Sequence, residues 1–175
     1  VLPTVEIPMV QPTIDQSVIQ PTVQPAMPVA ANTQVMGQVN VPLRNDFAGV
    51  AIVLTLPDGQ VVQTQTDAAG NFAFANLTPG TYRLDAGLAG YLSSQASFTL
   101  TDGQVLLLPI STLIGGDTNL DNRIDLADAA LIAANFDGTT TIPNADLNHD
   151  GIVDIRDLTA IGAFFGQAGP TAWQQ

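Results

Sequence analysis

Asp117-Thr118-Asn119-Leu120-Asp121-Asn122-Arg123-Ile124-Asp125-Leu126-Ala127-Asp128 returns 29 residues later as Asp146-Leu147-Asn148-His149-Asp150-Gly151-Ile152-Val153-Asp154-Ile155-Arg156-Asp157. Carried on to Phe136 and Phe165, the two copies agree at eight of twenty positions. The agreement concentrates on oxygen-bearing side chains at positions 1, 3, 5, 9 and 12: Asp117, Asn119, Asp121, Asp125 and Asp128, then Asp146, Asn148, Asp150, Asp154 and Asp157. Calcium takes about six to eight hard oxygens at flexible geometry, and this spacing supplies them from side chains, with the backbone carbonyl of position 7, Arg123 or Ile152, completing each set. Position 6 must turn with positive φ; Gly151 does so freely, and Asn122 is the next most tolerant residue type. One such loop reads equally well as a solvated Asn/Asp-rich turn. Two in register, each leading into a helix, read as sites for two Ca²⁺ ions.

Outward from the loops, apolar residues recur at helical spacing, Ala129, Ile132 and Phe136 after the first and Leu158, Ile161 and Phe165 after the second. They are expected to form a core shared by two helices. Ile124 and Val153, at position 8, are expected to pair the loops through a short β contact. His149, the one histidine, stands at position 4, where a solvent-facing residue without a role is expected. The spacing is that of the EF-hand loop. Loop then helix, duplicated with no entering helix, resembles a type I dockerin from about Gly115 to Trp173. The resemblance implies a module that two calcium ions fold and whose helices bind a cohesin domain. Dockerins commonly carry Ser or Thr at positions 10 and 11 and a basic residue in the helix. Here those positions hold Leu126, Ala127, Ile155 and Arg156, and positions 17 and 18 hold Ala133, Ala134, Gly162 and Ala163. The calcium donors therefore carry over residue by residue, and the cohesin-recognition residues do not.

The preceding segment carries strand signals at short intervals. Gly49–Leu56 alternates Val50, Ile52 and Leu54 against Ala51, Val53 and Thr55. Pro57-Asp58-Gly59 and Asp67-Ala68-Ala69-Gly70 are turn sequences, as are Thr78-Pro79-Gly80 and Thr101-Asp102-Gly103. With Gln34–Val41, Val61–Thr66, Asn71–Ala75, Thr81–Ala86, Tyr91–Leu100 and Gln104–Ile110, the pattern predicts a seven-stranded antiparallel β-sandwich. Its phrases Thr66-Asp67-Ala68-Ala69-Gly70-Asn71-Phe72-Ala73-Phe74 and Leu77-Thr78-Pro79-Gly80-Thr81-Tyr82 resemble carboxypeptidase regulatory-like domains of the prealbumin-like class. The resemblance implies a fold and says little of function. The glycine–proline phrase Gly169-Pro170-Thr171-Ala172-Trp173 at the far end is expected to bring Trp173, the one tryptophan, or Pro170 onto Leu113 and Ile114 or onto the sandwich.

Residues 1–32 hold six of the twelve prolines and neither glycine nor an aromatic residue. Val1-Leu2-Pro3-Thr4-Val5, Val10-Gln11-Pro12-Thr13-Ile14 and Ile19-Gln20-Pro21-Thr22-Val23 repeat every nine residues. Nine residues are three turns of polyproline II, so in that conformation each repeat shows the same face. The multidomain β + α organisation expected is therefore an extended tail (1–32), a sandwich (33–113) and a small helical pair that binds calcium (114–175).

Sixteen acids oppose four basic residues, all arginine, for a net charge of −12, which repels nucleic acid and anionic membrane surfaces. No apolar run, Val105–Ile110 included, approaches the roughly 20 residues of a membrane helix. With no cysteine and one histidine, no cysteine nucleophile, Ser-His-Asp triad or histidine metal centre can be built around the remaining turn carboxylates. These features lead to an expectation of a non-catalytic extracellular protein, its signal peptide removed or its chain a fragment, that works by protein–protein assembly. In one version the tail docks on another copy of the chain and builds a filament. In the other, the dockerin-like part anchors a larger enzyme or adhesin to a cohesin-like receptor.

Overall fold

Alternation along the strands decides which side chains form the core. In the computed structural model, which describes residues 32–137 and 142–173, Val50, Ile52 and Leu54 are fully buried, while Ala51 is exposed and Val53 and Thr55 are half-buried. The fold is mostly β, a sandwich followed by two short helices. One sheet joins β1 (Gln34–Asn40) to β4 (Asn71–Phe74) on one side and to β8 (Val105–Leu107) and β9 (Ser111–Thr112) on the other. The facing sheet runs β11 (Thr171–Ala172), β7 (Ser94–Leu100), β5 (Gly80–Gly87), β2 (Ala51–Thr55), β3 (Val61–Gln65). Between them lie Val35, Val39, Ile52, Leu54, Phe72, Tyr82 and Leu84. Gly37 is small because a Cβ there would stand 2.6 Å from the Phe72 ring.

The sandwich departs from the sequence reading in three ways. Pairing is not wholly antiparallel, since β8 and β9 both run parallel to β1. The single strand expected over Tyr91–Leu100 is divided at Ser93 into β6 (Gly90–Leu92) and β7, because the Ser93 N–H leaves the ladder and donates to Asn122 Oδ1 at 2.9 Å. The last strand stops at Leu107 rather than Ile110, since Pro109 has no N–H to offer a ladder. The segment expected as an extended tail, with its nine-residue repeat, lies outside the described residues up to Ala31.

β6 also pairs with β10 (Ile114–Asp117), which leads into the first acidic loop. Because neighbours on a strand face opposite ways, β6 serves two cores: Tyr91 belongs to the sandwich, and Leu92 to a second cluster with Ile124, Ile132, Leu147, Val153 and Ile161. That second core sits under α1 (Leu126–Ala134) and α2 (Ile155–Phe164). No described helix is long and apolar enough to cross a membrane.

Ile132 and Ile161 pack as expected, with Ala129 and Leu158 against them. Phe136 and Phe165 do not, being 43% and 57% exposed. Each lies beyond its helix's last residue, where the chain has left the inward-facing helical stripe, and Phe164 packs in place of Phe165. Nor do Ile124 and Val153 bond to one another. The Ile124 carbonyl accepts from Gly166 N–H (2.8 Å), and the Val153 carbonyl accepts from Asp137 N–H (3.0 Å). Gly166 and Asp137 occupy the same place in the two repeats and both have positive φ, 85° and 56°. Each loop is thus braced by the segment that follows the other's helix, an approximate two-fold arrangement.

Candidate metal centre

The two acidic loops are folded by the same hydrogen bonds. Position 1 anchors each turn: Asp117 accepts from the N–H groups of Asp121 (3.0 Å) and Asn122 (2.9 Å), and Asp146 from those of Asp150 (3.2 Å) and Gly151 (2.9 Å). At position 3, Asn119 Oδ1 accepts from Asp121 N–H, and Asn148 Oδ1 from Asp150 N–H. Position 5 accepts from the N–H of position 7, so Asp121 is tied to Arg123 and Asp150 to Ile152. Asp125 and Asp154, at position 9, cap α1 and α2, and the position-12 carboxylates complete reciprocal capping boxes. Asp128 and Asp157 are fully buried and reach back to the N–H groups of positions 2 and 3.

Positive φ occurs at positions 4 and 6 of both loops: Leu120 (66°) and Asn122 (64°), His149 (59°) and Gly151 (90°). Sequence reasoning anticipated position 6 but not position 4. It also missed why Asn stands at 122. Asn122 Oδ1 accepts from both the N–H and the hydroxyl of Ser93, and its carbonyl accepts from Gly169 N–H at 2.9 Å. The side chain that glycine lacks ties the first loop to the sandwich, whereas Gly151 has open space around it.

Electrostatically, the loops concentrate negative charge at small separations. Burial pushes the Asp117 carboxyl above the usual range, the N–H groups of Asn122 and Asp121 pull it back in part, and the neighbouring Asp128 and Asp121 add to the rise. Among the described residues no three His, Cys, Asp or Glu side chains are gathered on one metal position; their oxygens are engaged with N–H groups, and Asn119 and Asn148 donate to Asp121 and Asp150. The donor chemistry nevertheless suits calcium, because the donor positions of each loop offer carboxylate and amide oxygens with a position-7 carbonyl, and His149, the one imidazole, stands at position 4 outside that set. In such a site Asp117, Asn119, Asp121, the Arg123 carbonyl, Asp125 and Asp128 would hold one ion. Asp146, Asn148, Asp150, the Ile152 carbonyl, Asp154 and Asp157 would hold the other. The loops differ in a further respect: Arg156 pairs with Asp150 at 3.2 Å and Asp154 at 3.8 Å, where the first loop has Ala127 at the matching position.

Outside the loops, the helices expose apolar side chains. Leu126 and Ile155, both at position 10, are 74% and 60% exposed. Along α1 the other exposed residues are Ala127, Ala130, Ala133 and Ala134, so its outer face carries no polar side chain. The outer face of α2 mixes Ile155 with Arg156 and Thr159. The chain after α2 returns to the sandwich. Thr171 N–H donates to Ser93 O (2.8 Å), and Trp173 donates through its main chain to Gln95 O (2.7 Å) and through Nε1 to Pro109 O (2.8 Å). The indole is 5% exposed and meets Phe72 edge-on at 5.9 Å, in the same core as Leu113.

Residues 34–112 match the model of the carboxypeptidase regulatory-like domain, a likeness confined to the sandwich. Colossin-A of Dictyostelium discoideum is 31% identical over 134 residues, 62% of this chain, and the chain spans about 1% of that protein's length. Among solved structures, a chain of an N-terminal interface mutant of the type II cohesin–X–dockerin complex from Acetivibrio cellulolyticus is 22% identical with a TM-score of 0.66. The match covers 78% of this chain and 97% of that one. A chain of the C-terminal interface mutant of the same complex is 24% identical with a TM-score of 0.64, at the same coverage. These likenesses establish the fold, and they extend beyond what residues 34–112 alone could supply.

Proposed function

We propose that this chain is a non-catalytic assembly module, secreted or held at the cell surface, whose loop–helix pair is dockerin-like and is folded by two Ca²⁺ ions. The observation that carries the reading is the bond-for-bond repetition of the two loops, with the same carboxylates at positions 1, 5, 9 and 12. Each twelve-residue loop carries four aspartates, at these same positions, whose like charges repel one another. Bound cations would offset their repulsion, so that metal binding becomes folding energy. The likeness to the cohesin–X–dockerin complex supports a module that meets a cohesin-like receptor. The wholly apolar outer face of α1, with Leu126 most exposed, is the surface such a receptor would cover. A second reading, association between copies of this chain through the N-terminal segment, is favoured by the exposed and uncharged edge strand β8.

Titration calorimetry should give two Ca²⁺ per chain, and Asp117→Ala with Asp146→Ala should abolish both, with loss of helical circular dichroism. A melting temperature unmoved by excess chelator would overturn the calcium reading. For the receptor, Leu126→Arg should weaken capture by an immobilised type II cohesin at least tenfold while leaving calcium stoichiometry intact. Equal capture by the variant, or none by the unmodified chain, would remove that part.

A further inference from the structure

β8 is an edge strand with an unusual surface. Its bonds to β1 run through alternate residues, from Gln34 N–H to Gln104 O (2.9 Å) and from Leu108 N–H to Met36 O (2.8 Å). The main-chain groups of Val105 and Leu107 therefore turn away from β1, and among the described residues no strand pairs with that side. Val105 and Leu107 are 54% and 71% exposed. Folded proteins blunt such edges with charge, and from Gln104 to Thr112 there is none. Pro109 is the only protective residue there. Beside β8, the gap between the two sheets opens as a cleft of about 390 Å³, lined by Ala96, Phe98, Leu106, Leu108, Pro109 and Trp173. No charged side chain lines it.

The segment before β1 carries a sequence that fits this edge. In each five-residue motif the proline is flanked two residues away by β-branched residues, as in Val10-Gln11-Pro12-Thr13-Ile14. Paired as a strand, Val10, Pro12 and Ile14 share one face, and Gln11 and Thr13 share the other. The proline is then compatible with pairing only if its nitrogen faces away from the partner strand. That condition leaves Gln11 and Thr13 to bond the free main chain of Leu107 and Val105. It sets Pro12 opposite Leu106, whose side chain points inward toward the sandwich core. One register thus satisfies both demands: the apolar face enters the cleft, and the polar pair lies over the exposed Val105 and Leu107. The segment carries three such motifs, at residues 1–5, 10–14 and 19–23.

We infer that the free edge of β8 and its cleft receive a Pro-Thr motif from the N-terminal segment of a second copy of this chain, added as an extra strand. The inference rests on the self-association reading above and gives it a donor and a receiver; it does not involve the calcium loops. Among the described residues both hydrophobic cores lie between Val35 and Trp173, and a chain lacking residues 1–30 retains them.

Light scattering across a range of concentrations, with calcium present, tests it. The intact chain should gain mass with concentration, and the chain lacking residues 1–30 should remain a monomer. Leu107→Pro removes an N–H that faces away from β1, and Val105→Lys charges the edge at an exposed position; each should lower the association constant at least tenfold. Replacing Thr4, Thr13 and Thr22 together by Pro should do the same, whereas Ser at these positions should not. Mixing the truncated chain, a receiver without a donor, with the Leu107→Pro chain, a donor without a receiver, should restore association. Association lost on truncation but untouched by both β8 variants would overturn the receiver while leaving self-association standing. An intact chain that stays monomeric, whether or not its segment folds onto its own edge, would overturn both.

Discussion

Asn122 shows how much a single residue in a repeated motif can be asked to do. At position 6 a glycine suffices for the turn, as at Gly151, and the left-handed backbone makes Asn the costlier choice. Its return is the pair of bonds from Ser93, which close the first loop onto the sandwich. Asn122→Gly should therefore preserve the loop and its calcium stoichiometry while lowering stability by about 1 kcal/mol, the net loss of buried hydrogen bonds less the relief of backbone strain; thermal melts of the two proteins would show it. Tyr91 makes the second tie, its hydroxyl donating to Pro42 O (3.0 Å) and Leu147 O (3.3 Å). Burial raises its phenol to about 12 from an ordinary 10. A raised folded value means that the unfolded chain ionises first, so the stabilisation is complete below about pH 10 and lost as pH rises through about 12. Tyr91→Phe should cost about 1–2 kcal/mol at neutral pH and should remove this part of the alkaline decline, read from denaturant midpoints between pH 9 and 12. The turn at position 6 was legible in the sequence because it follows local spacing. The ties of Asn122 and Tyr91 were not, since each joins residues far apart in the chain.

At the scale of elements, local pattern again predicted what local forces decide. Strand alternation placed Val50, Ile52 and Leu54 inward, and helical spacing placed Ile132 and Ile161. The failures lie where tertiary bonding overrides periodicity: the division at Ser93, the parallel strands at β1, and the two phenylalanines past the helix ends. The helices themselves owe their start to the position-9 and position-12 carboxylates, which are also proposed metal donors, so ion binding and helix capping would share atoms. The two loops are nonetheless unequal. Arg156, on the exposed side of the second loop, pairs with Asp150 and Asp154 and adds a positive charge beside the proposed ion. Exposed pairs contribute at most about 1 kcal/mol, so Arg156→Ala should raise calcium affinity at the second loop by up to about fivefold at low salt and less at high salt. Calorimetry of the variant, with the first loop disabled by Asp117→Ala, isolates the effect.

Across the whole molecule, sandwich and loop–helix pair are joined at more than a linker. β6 contributes Tyr91 to one core and Leu92 to the other, β10 runs from the sandwich directly into the first loop, and the chain's return seats Trp173 in the sandwich. The tryptophan's burial was legible from its size and rarity, whereas the parallel strand β11 that carries it there depends on pairing with Ser94 and Gln95. Gly166 and Gln167 bond Ile124 on the way, so the segment leading to Trp173 is held by the first loop. Losing that loop's fold should therefore loosen the anchor of an indole that sits outside the loop–helix pair. Trp173 is the one tryptophan, and its emission reports the sandwich while helical circular dichroism reports α1 and α2. Heated with calcium, the two signals should change together in one transition. Chelator should lower both midpoints, and Trp173→Ala, which removes a large buried ring at a cost of about 3–5 kcal/mol, should lower the helical midpoint even though the residue touches neither helix. Two separate transitions, with the tryptophan signal indifferent to chelator, would mean that the two cores fold independently despite the bonds between them.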